Sequence, residues 1–115
     1  MVLETSPARA IEEISAELVL TDRDLARILD ADARTLSRWR RGSHYPQTET
    51  RRRLAALLAL ERRLAEGFTT PEARRDWLHA PSRYLGGLAP VEVLRAGRID
   101  RVEDALEALD SGIFL

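Results

Sequence analysis

An all-α fold follows from three features of this 115-residue sequence. Apolar residues recur at helical spacing in successive segments. Ser, Thr, Asp and Pro stand where helices would begin, and Gly where they would end. No stretch alternates apolar and polar residues as a half-buried strand does. At this length the chain suits one domain, or two small ones sharing a core. The expected architecture is two small helical units joined by a long helix, residues 1–67 and 68–115.

Composition narrows the class. With 44% hydrophobic residues the chain is expected to fold rather than stay disordered. There is no cysteine, so disulfides and the usual structural zinc sites are excluded. No run approaches ~18 apolar residues, and the opening stretch lacks a basic-then-apolar signal pattern. The expectation is a cytoplasmic protein without a membrane segment.

A net charge of −1 conceals an asymmetry. Residues 1–33 hold three Arg against eight acids, and the stretch from residue 54 onward holds eight Arg against ten acids. Between them, Arg34, Arg38, Arg40, Arg41, Arg51, Arg52 and Arg53 face only Glu49. This clustering, rather than the exclusive use of Arg, is the informative feature.

The first helix is expected to start at Ser6-Pro7, with Ser as cap and Pro in the first turn. Ile11, Ile14 and Leu18 form its inner stripe, with Glu12, Glu13 and Glu17 outward. Thr21 opens the next helix, with Asp24 at capping-box spacing. Leu25, Ala26 and Leu29 share a face, Asp30, Ala31 and Asp32 form a break, and Leu36 and Trp39 anchor a second helix. A small residue at Ala26 lets that second helix cross closely, as a helix-turn-helix requires. Asp30 stands where such motifs usually place Gly, and Asp tolerates the left-handed conformation better than most residues. Asp32 is placed to cap the second helix.

On a helical wheel Arg34, Ser37, Arg38 and Arg41 oppose Leu36 and Trp39, with Thr35 at the edge. Arg and hydroxyl side chains on one helix face suit the DNA major groove. The plainer alternative is a solvated charged face. Gly42 ends the helix, and residues 43–48 form a loop. His44 and His79 have no neighbouring Cys or paired acids, so neither reads as a metal ligand.

Thr48 is expected to cap the long helix, which ends near Gly67. Arg51 and Arg52, beside Arg53 in its first turns, either face solvent or touch DNA phosphates. Leu54, Leu57, Leu58, Leu60, Leu64 and Ala65 exceed one stripe, so this helix packs on both sides. Thr70-Pro71 starts another helix, with Trp77 and Leu78 inward. The Pro- and Gly-dense stretch after it reads as turns, with one helical turn at residues 82–85. Gly86-Gly87 is better explained by tight turning than by phosphate cradling. Pro90 opens a short helix that Gly97 closes. The final helix, residues 100–110, turns Val102, Leu106 and Leu109 inward and stops near Gly112.

Trp77-Leu78, Pro81, Leu85-Gly86-Gly87, Pro90, Val93-Leu94, Gly97 and the final helix running into Gly112-Ile113-Phe114 resemble the toxin-binding domain of the Xre/MbcA/ParS antitoxin family. The first half resembles the Xre-like helix-turn-helix that precedes that domain in the family. The resemblance implies a type II antitoxin that neutralises a NAD-consuming RES-domain toxin and binds operator DNA to repress its own operon. A homodimer within a larger toxin–antitoxin hetero-oligomer is expected, with no cofactor. An enzyme is not expected, since no nucleophile–base or metal-ligand set can be assembled.

The expected DNA-binding residues are Arg34, Thr35, Ser37, Arg38, Arg41, Arg51 and Arg52. The expected toxin-binding residues are Trp77, Tyr84, Leu85, Gly112, Ile113, Phe114 and Leu115. In the family the C-terminal end reaches into the toxin's active-site cleft, a role that the apolar tail and its carboxylate would suit. The residues alone slightly favour the alternative, in which Ile113 and Phe114 fold back onto the protein's own core. Two other functions compete: a stand-alone regulator whose second unit only dimerises, and an adaptor whose helix-turn-helix no longer binds DNA.

Overall fold

Ser6 opens the first helix, its hydroxyl accepting the Arg9 N–H at 3.2 Å, and Pro7 fills the first position, where no N–H is needed. The computed structural model describes residues 2–112. Among them are seven helices and no strand: α1 (Pro7–Leu18), α2 (Asp22–Ile28), α3 (Ala33–Arg40), α4 (Thr48–Gly67), α5 (Pro71–His79), α6 (Pro90–Arg95) and α7 (Ile99–Asp110). The all-α expectation holds, and most helix ends fall where the capping residues put them.

Ile11, Ile14 and Leu18 are buried on α1. Thr21 and Asp24 form the reciprocal capping box of α2. Pro71 follows the Thr70 cap of α5, and Pro90 begins α6. Residues 83–87 form hydrogen-bonded turns rather than a helical turn, with Gly86 and Gly87 at φ 70° and 91°. The Gly87 N–H closes this loop on the Ser82 carbonyl at 2.8 Å.

The α4 start differs from expectation. Gln47 holds the cap position without a side-chain bond, and Thr48 is already helical. The Thr48 hydroxyl instead accepts a bond from Arg51 at 3.1 Å. Once engaged with a side chain in the same turn, this hydroxyl does not cap the backbone.

Along α4, Leu54, Leu57, Leu58, Leu60 and Leu64 are buried, and the helix packs on α1, α5 and α7. One hydrophobic cluster extends from Ala10 through α4 to Leu106, so helices on both sides of residue 67 share a core. Burying two faces of one helix accounts for its breadth of apolar positions.

Ion pairs between distant segments surround this core. The Arg74 guanidinium, on a residue only 6% exposed, binds Glu17 of α1 and donates to the Phe68 carbonyl at 2.9 Å. Arg95 of α6 donates to Asp24 of α2 at 2.7 Å. Burial works against ionisation of Asp24, but the bonds from Arg95 and Thr21 outweigh it and hold its carboxyl below the usual range.

Glu61, on the inner side of α4, is 3% exposed. Burial pushes its carboxyl up to about 8, aided by the bond it shares with Glu13 and by the nearby charge of Glu17. The Glu13 carboxyl lies below its ordinary value, held there by Glu61 and Arg62. The pair therefore keeps one proton at neutral pH.

Because the Glu61 pKa is raised on folding, the folded chain holds a proton that the unfolded chain releases once pH exceeds about 5. Between about pH 5 and 8 this group should lower stability by roughly 1 kcal/mol per pH unit, with no further loss above that window. Glu61→Gln keeps a donor but cannot titrate. Urea unfolding of the variant should show a flatter pH dependence across that window. Parallel curves for variant and parent would exclude Glu61 as the titrating group.

Candidate functional site

Asp30 takes φ 54°, the left-handed turn between α2 and α3, and the Ala31 N–H returns to the Ala26 carbonyl at 2.8 Å. The Asp32 carboxylate then accepts the Thr35 N–H at 2.7 Å, a bond that keeps this carboxyl below its usual range. These two acids set the angle at which α3 leaves the turn. Leu36 and Trp39 are buried, and α3 packs on α1 and α2.

Arg34, Arg38 and Arg41 are exposed on the opposite face, with Ser37 half-buried between them. Arg41 donates to the Ser37 hydroxyl at 3.3 Å. Thr35 is half-buried and lines a depression of about 370 Å³ with Tyr45, Gln47 and Thr50. No ion pair among the described residues uses Arg34, Arg38, Arg41 or Arg52. Arg52, in the second turn of α4, is likewise exposed.

Other arginines of the basic cluster have internal partners. Arg40 reaches back to Glu12, to the Ser15 hydroxyl at 2.8 Å and to Asp22 at 2.7 Å. Arg53 donates to the Ile28 carbonyl at 3.5 Å and lies 3.8 Å from Glu49. Arg51, expected at DNA, donates to the Pro46 carbonyl at 2.7 Å, and its guanidinium lies 5.0 Å from the Tyr45 ring centre. Arg51 therefore braces the loop before α4, a task that Arg52 does not share.

At the other end, Trp77 and Tyr84 line a groove of about 250 Å³ together with Pro81, Pro90, Ala105 and Leu109. Phe68 supports Trp77, their ring centres 6.1 Å apart. The Arg101 guanidinium lies 5.9 Å from the Tyr84 ring centre. Leu85, expected as a toxin contact, is 5% exposed and belongs to the core, since the tight turn at residues 83–87 points it inward. Gly112 is exposed and closes α7 at φ 72°. Ile113, Phe114 and Leu115, the expected cleft-filling tail, lie outside the described residues.

A helix-turn-helix with an outward arginine face, sharing its core with a second helical unit, defines the class: a small all-α protein of helix-turn-helix type. Residues 1–49 match the antitoxin Xre-like helix-turn-helix domain, and residues 63–112 match the antitoxin Xre/MbcA/ParS C-terminal toxin-binding domain. The mycobacterial cidal antitoxin MbcA of Mycobacterium tuberculosis is 31% identical over 114 residues, 99% of this chain and 96% of that protein. A probable mycobacterial cidal antitoxin of the same organism is 33% identical over 96 residues, 84% of this chain and 81% of its own length. A chain of the crystal structure of the M. tuberculosis MbcT–MbcA toxin–antitoxin complex aligns with TM-score 0.72 and 29% identity, covering 94% of this chain and 96% of that one. The chain belongs to the Xre/MbcA/ParS antitoxin family. No described helix is long and apolar enough to cross a membrane.

The arginines separate by role under mutation. Arg40→Ala should cost about 1–2 kcal/mol of stability, because it frees two carboxylates and a half-buried hydroxyl at once. Arg38→Ala should leave the unfolding midpoint almost unchanged. Denaturation of the two variants side by side checks this; equal losses would mean that Arg38 also supports the fold.

Proposed function

We propose that this antitoxin works with a division of labour, residues 1–67 binding operator DNA and residues 68–115 binding a toxin. Arg34 and Arg38 on the second helix of the helix-turn-helix and Arg41 at its C-cap, exposed and in no ion pair among the described residues, carry the DNA reading. Arg can take guanine bidentately in the major groove, and Thr35, Ser37 and Arg52 would serve phosphate or base. A homodimer would present two α3 helices to an inverted repeat one DNA turn apart, and the chain would repress its own operon.

The partner is a RES-domain, NAD-consuming toxin, by the family resemblance of residues 68–112. The solved relative, described as a toxin–antitoxin complex, supports a toxin partner. Trp77 and Tyr84 offer aromatic surface beside the end of α7, and residues 113–115 would enter the toxin's active-site cleft. There, apolar side chains would exclude substrate.

Two substitutions test the two arms. Arg38→Ala should weaken operator binding about 10- to 100-fold in a gel-shift titration, the range for losing one bidentate base contact. It should still rescue cells expressing the toxin. Undiminished operator affinity would show that α3 does not read DNA through this face. Removing residues 113–115 should do the reverse, sparing operator binding and abolishing rescue. Full rescue by the truncated chain would reject cleft filling.

A further inference from the structure

Tyr45 stands in the loop between α3 and α4 with 68% of its surface exposed. A single exposed ring is ordinary; what sets this one apart is its brace. The Arg51 guanidinium, 5.0 Å from the ring centre, is itself tied to the Pro46 carbonyl at 2.7 Å and to the Thr48 hydroxyl at 3.1 Å. A cation held against a ring is attracted by the ring's quadrupole, so the two ties fix where the ring stands. No hydrogen bond among the described residues uses the Tyr45 hydroxyl. An arginine is thus committed to presenting an aromatic residue whose polar end is unused.

Two depressions meet at this ring. On the α3 side it lines about 370 Å³ together with Thr35, Asp30 and Asp32, where the two acids would repel an anion. On the α4 side it lines about 390 Å³ with Thr48, Arg51 and Arg52, and no acid among the described residues borders that space. Arg52 is exposed and enters no ion pair among the described residues. The ring therefore stands on the ridge between the α3 face and the arginines of α4.

We propose that Tyr45 is a further DNA contact, its hydroxyl donating to a backbone phosphate on the α4 side beside Arg52, with Arg51 as the positioning residue that holds the ring. This rests on the proposed reading of DNA by α3 and extends it beyond the recognition helix. A phosphate contact fixes how that helix sits on the duplex and reads no base. The phenol carries no charge, which separates it from Arg52 in one measurable respect. Neutralising a phosphate with an arginine releases a counterion and steepens the salt dependence of binding, whereas a neutral donor does not.

The test titrates the full chain by fluorescence anisotropy, at several salt concentrations, against its own operator duplex and an unrelated duplex. Tyr45→Phe keeps the ring beside Arg51 and should weaken binding to both duplexes about tenfold with an unchanged salt slope. Arg51→Lys keeps the charge but loses the planar fork that reaches Pro46 and Thr48 together. It should show a similar loss and add little to Tyr45→Phe. Arg52→Ala should lower the salt slope by about one. Full affinity of Tyr45→Phe overturns the proposal, as does a loss confined to the operator duplex, which would mark a base contact. An unchanged slope for Arg52→Ala removes the phosphate from this side and overturns it as well. Additive losses from Arg51→Lys and Tyr45→Phe would reject the positioning role. Normal operator binding by Arg38→Ala beside a weakened Tyr45→Phe would instead reject base reading by α3 and leave this contact standing.

Discussion

A buried carboxyl, that of Glu61 at the joint of α1, α4 and α5, is the constraint around which this fold is arranged. Glu13, Glu17 and Glu61 meet Arg62 and Arg74 there, and the shared proton between Glu13 and Glu61 brings three acids and two guanidinium groups to neutrality. A further charge in that place would be buried without a partner, which is far more costly than the proton. The cluster joins the first helix to the long central one and to the first helix beyond it. α3 in turn lies on α1, and α6 on α2 and α5, so both candidate surfaces are referred to this joint.

The acidic character of the N-terminal third is absorbed by the same pairing. Glu12 and Asp22 meet Arg40, Glu13 meets Arg62, Glu17 meets Arg74, and Asp24 meets Arg95. Five of the eight acids before residue 34 are thus matched by cations from other helices. Around α3, Arg34, Arg38, Arg41 and Arg52 enter no ion pair among the described residues, with Asp30 and Asp32 as the acids of the adjoining turn. A near-zero net charge is compatible with a locally positive face because most of the opposing charges are neutralised elsewhere.

Periodicity and capping made most of the fold legible, because each helix carries its own start and stop. Asp30 could be read as a left-handed turn residue, and Leu36 and Trp39 as anchors, without any distant contact. Arg38 and Arg40 could not be told apart in this way. Only the fold brings Glu12 and Asp22, 28 and 18 residues away, to Arg40. The burial of Leu85 and the loop bond of Arg51 were illegible for a related reason, since turn geometry decides where those side chains go. Glu61 did leave a signal: an acid at helical spacing with Leu57 and Leu64, inside a stripe otherwise apolar. An ionisable residue on a core face asks for a partner or a proton.

The shared core also constrains how the proposed DNA reading and toxin binding could influence one another. α2 touches both α3 and α6, and the Asp24–Arg95 pair ties α2 to the second unit. Moving α2 away from α6 would have to break that pair, and moving α1 away from α5 would strip Glu17 from Arg74, whose guanidinium has lost most of its access to water. Leaving the buried Asp24 or Arg74 without its partner costs several kcal/mol, more than a surface contact returns. An internal hinge between the units is therefore disfavoured. Under the proposed homodimer, coupling would instead act between chains, through how two copies are spaced and so whether their α3 helices fit successive turns of one DNA face.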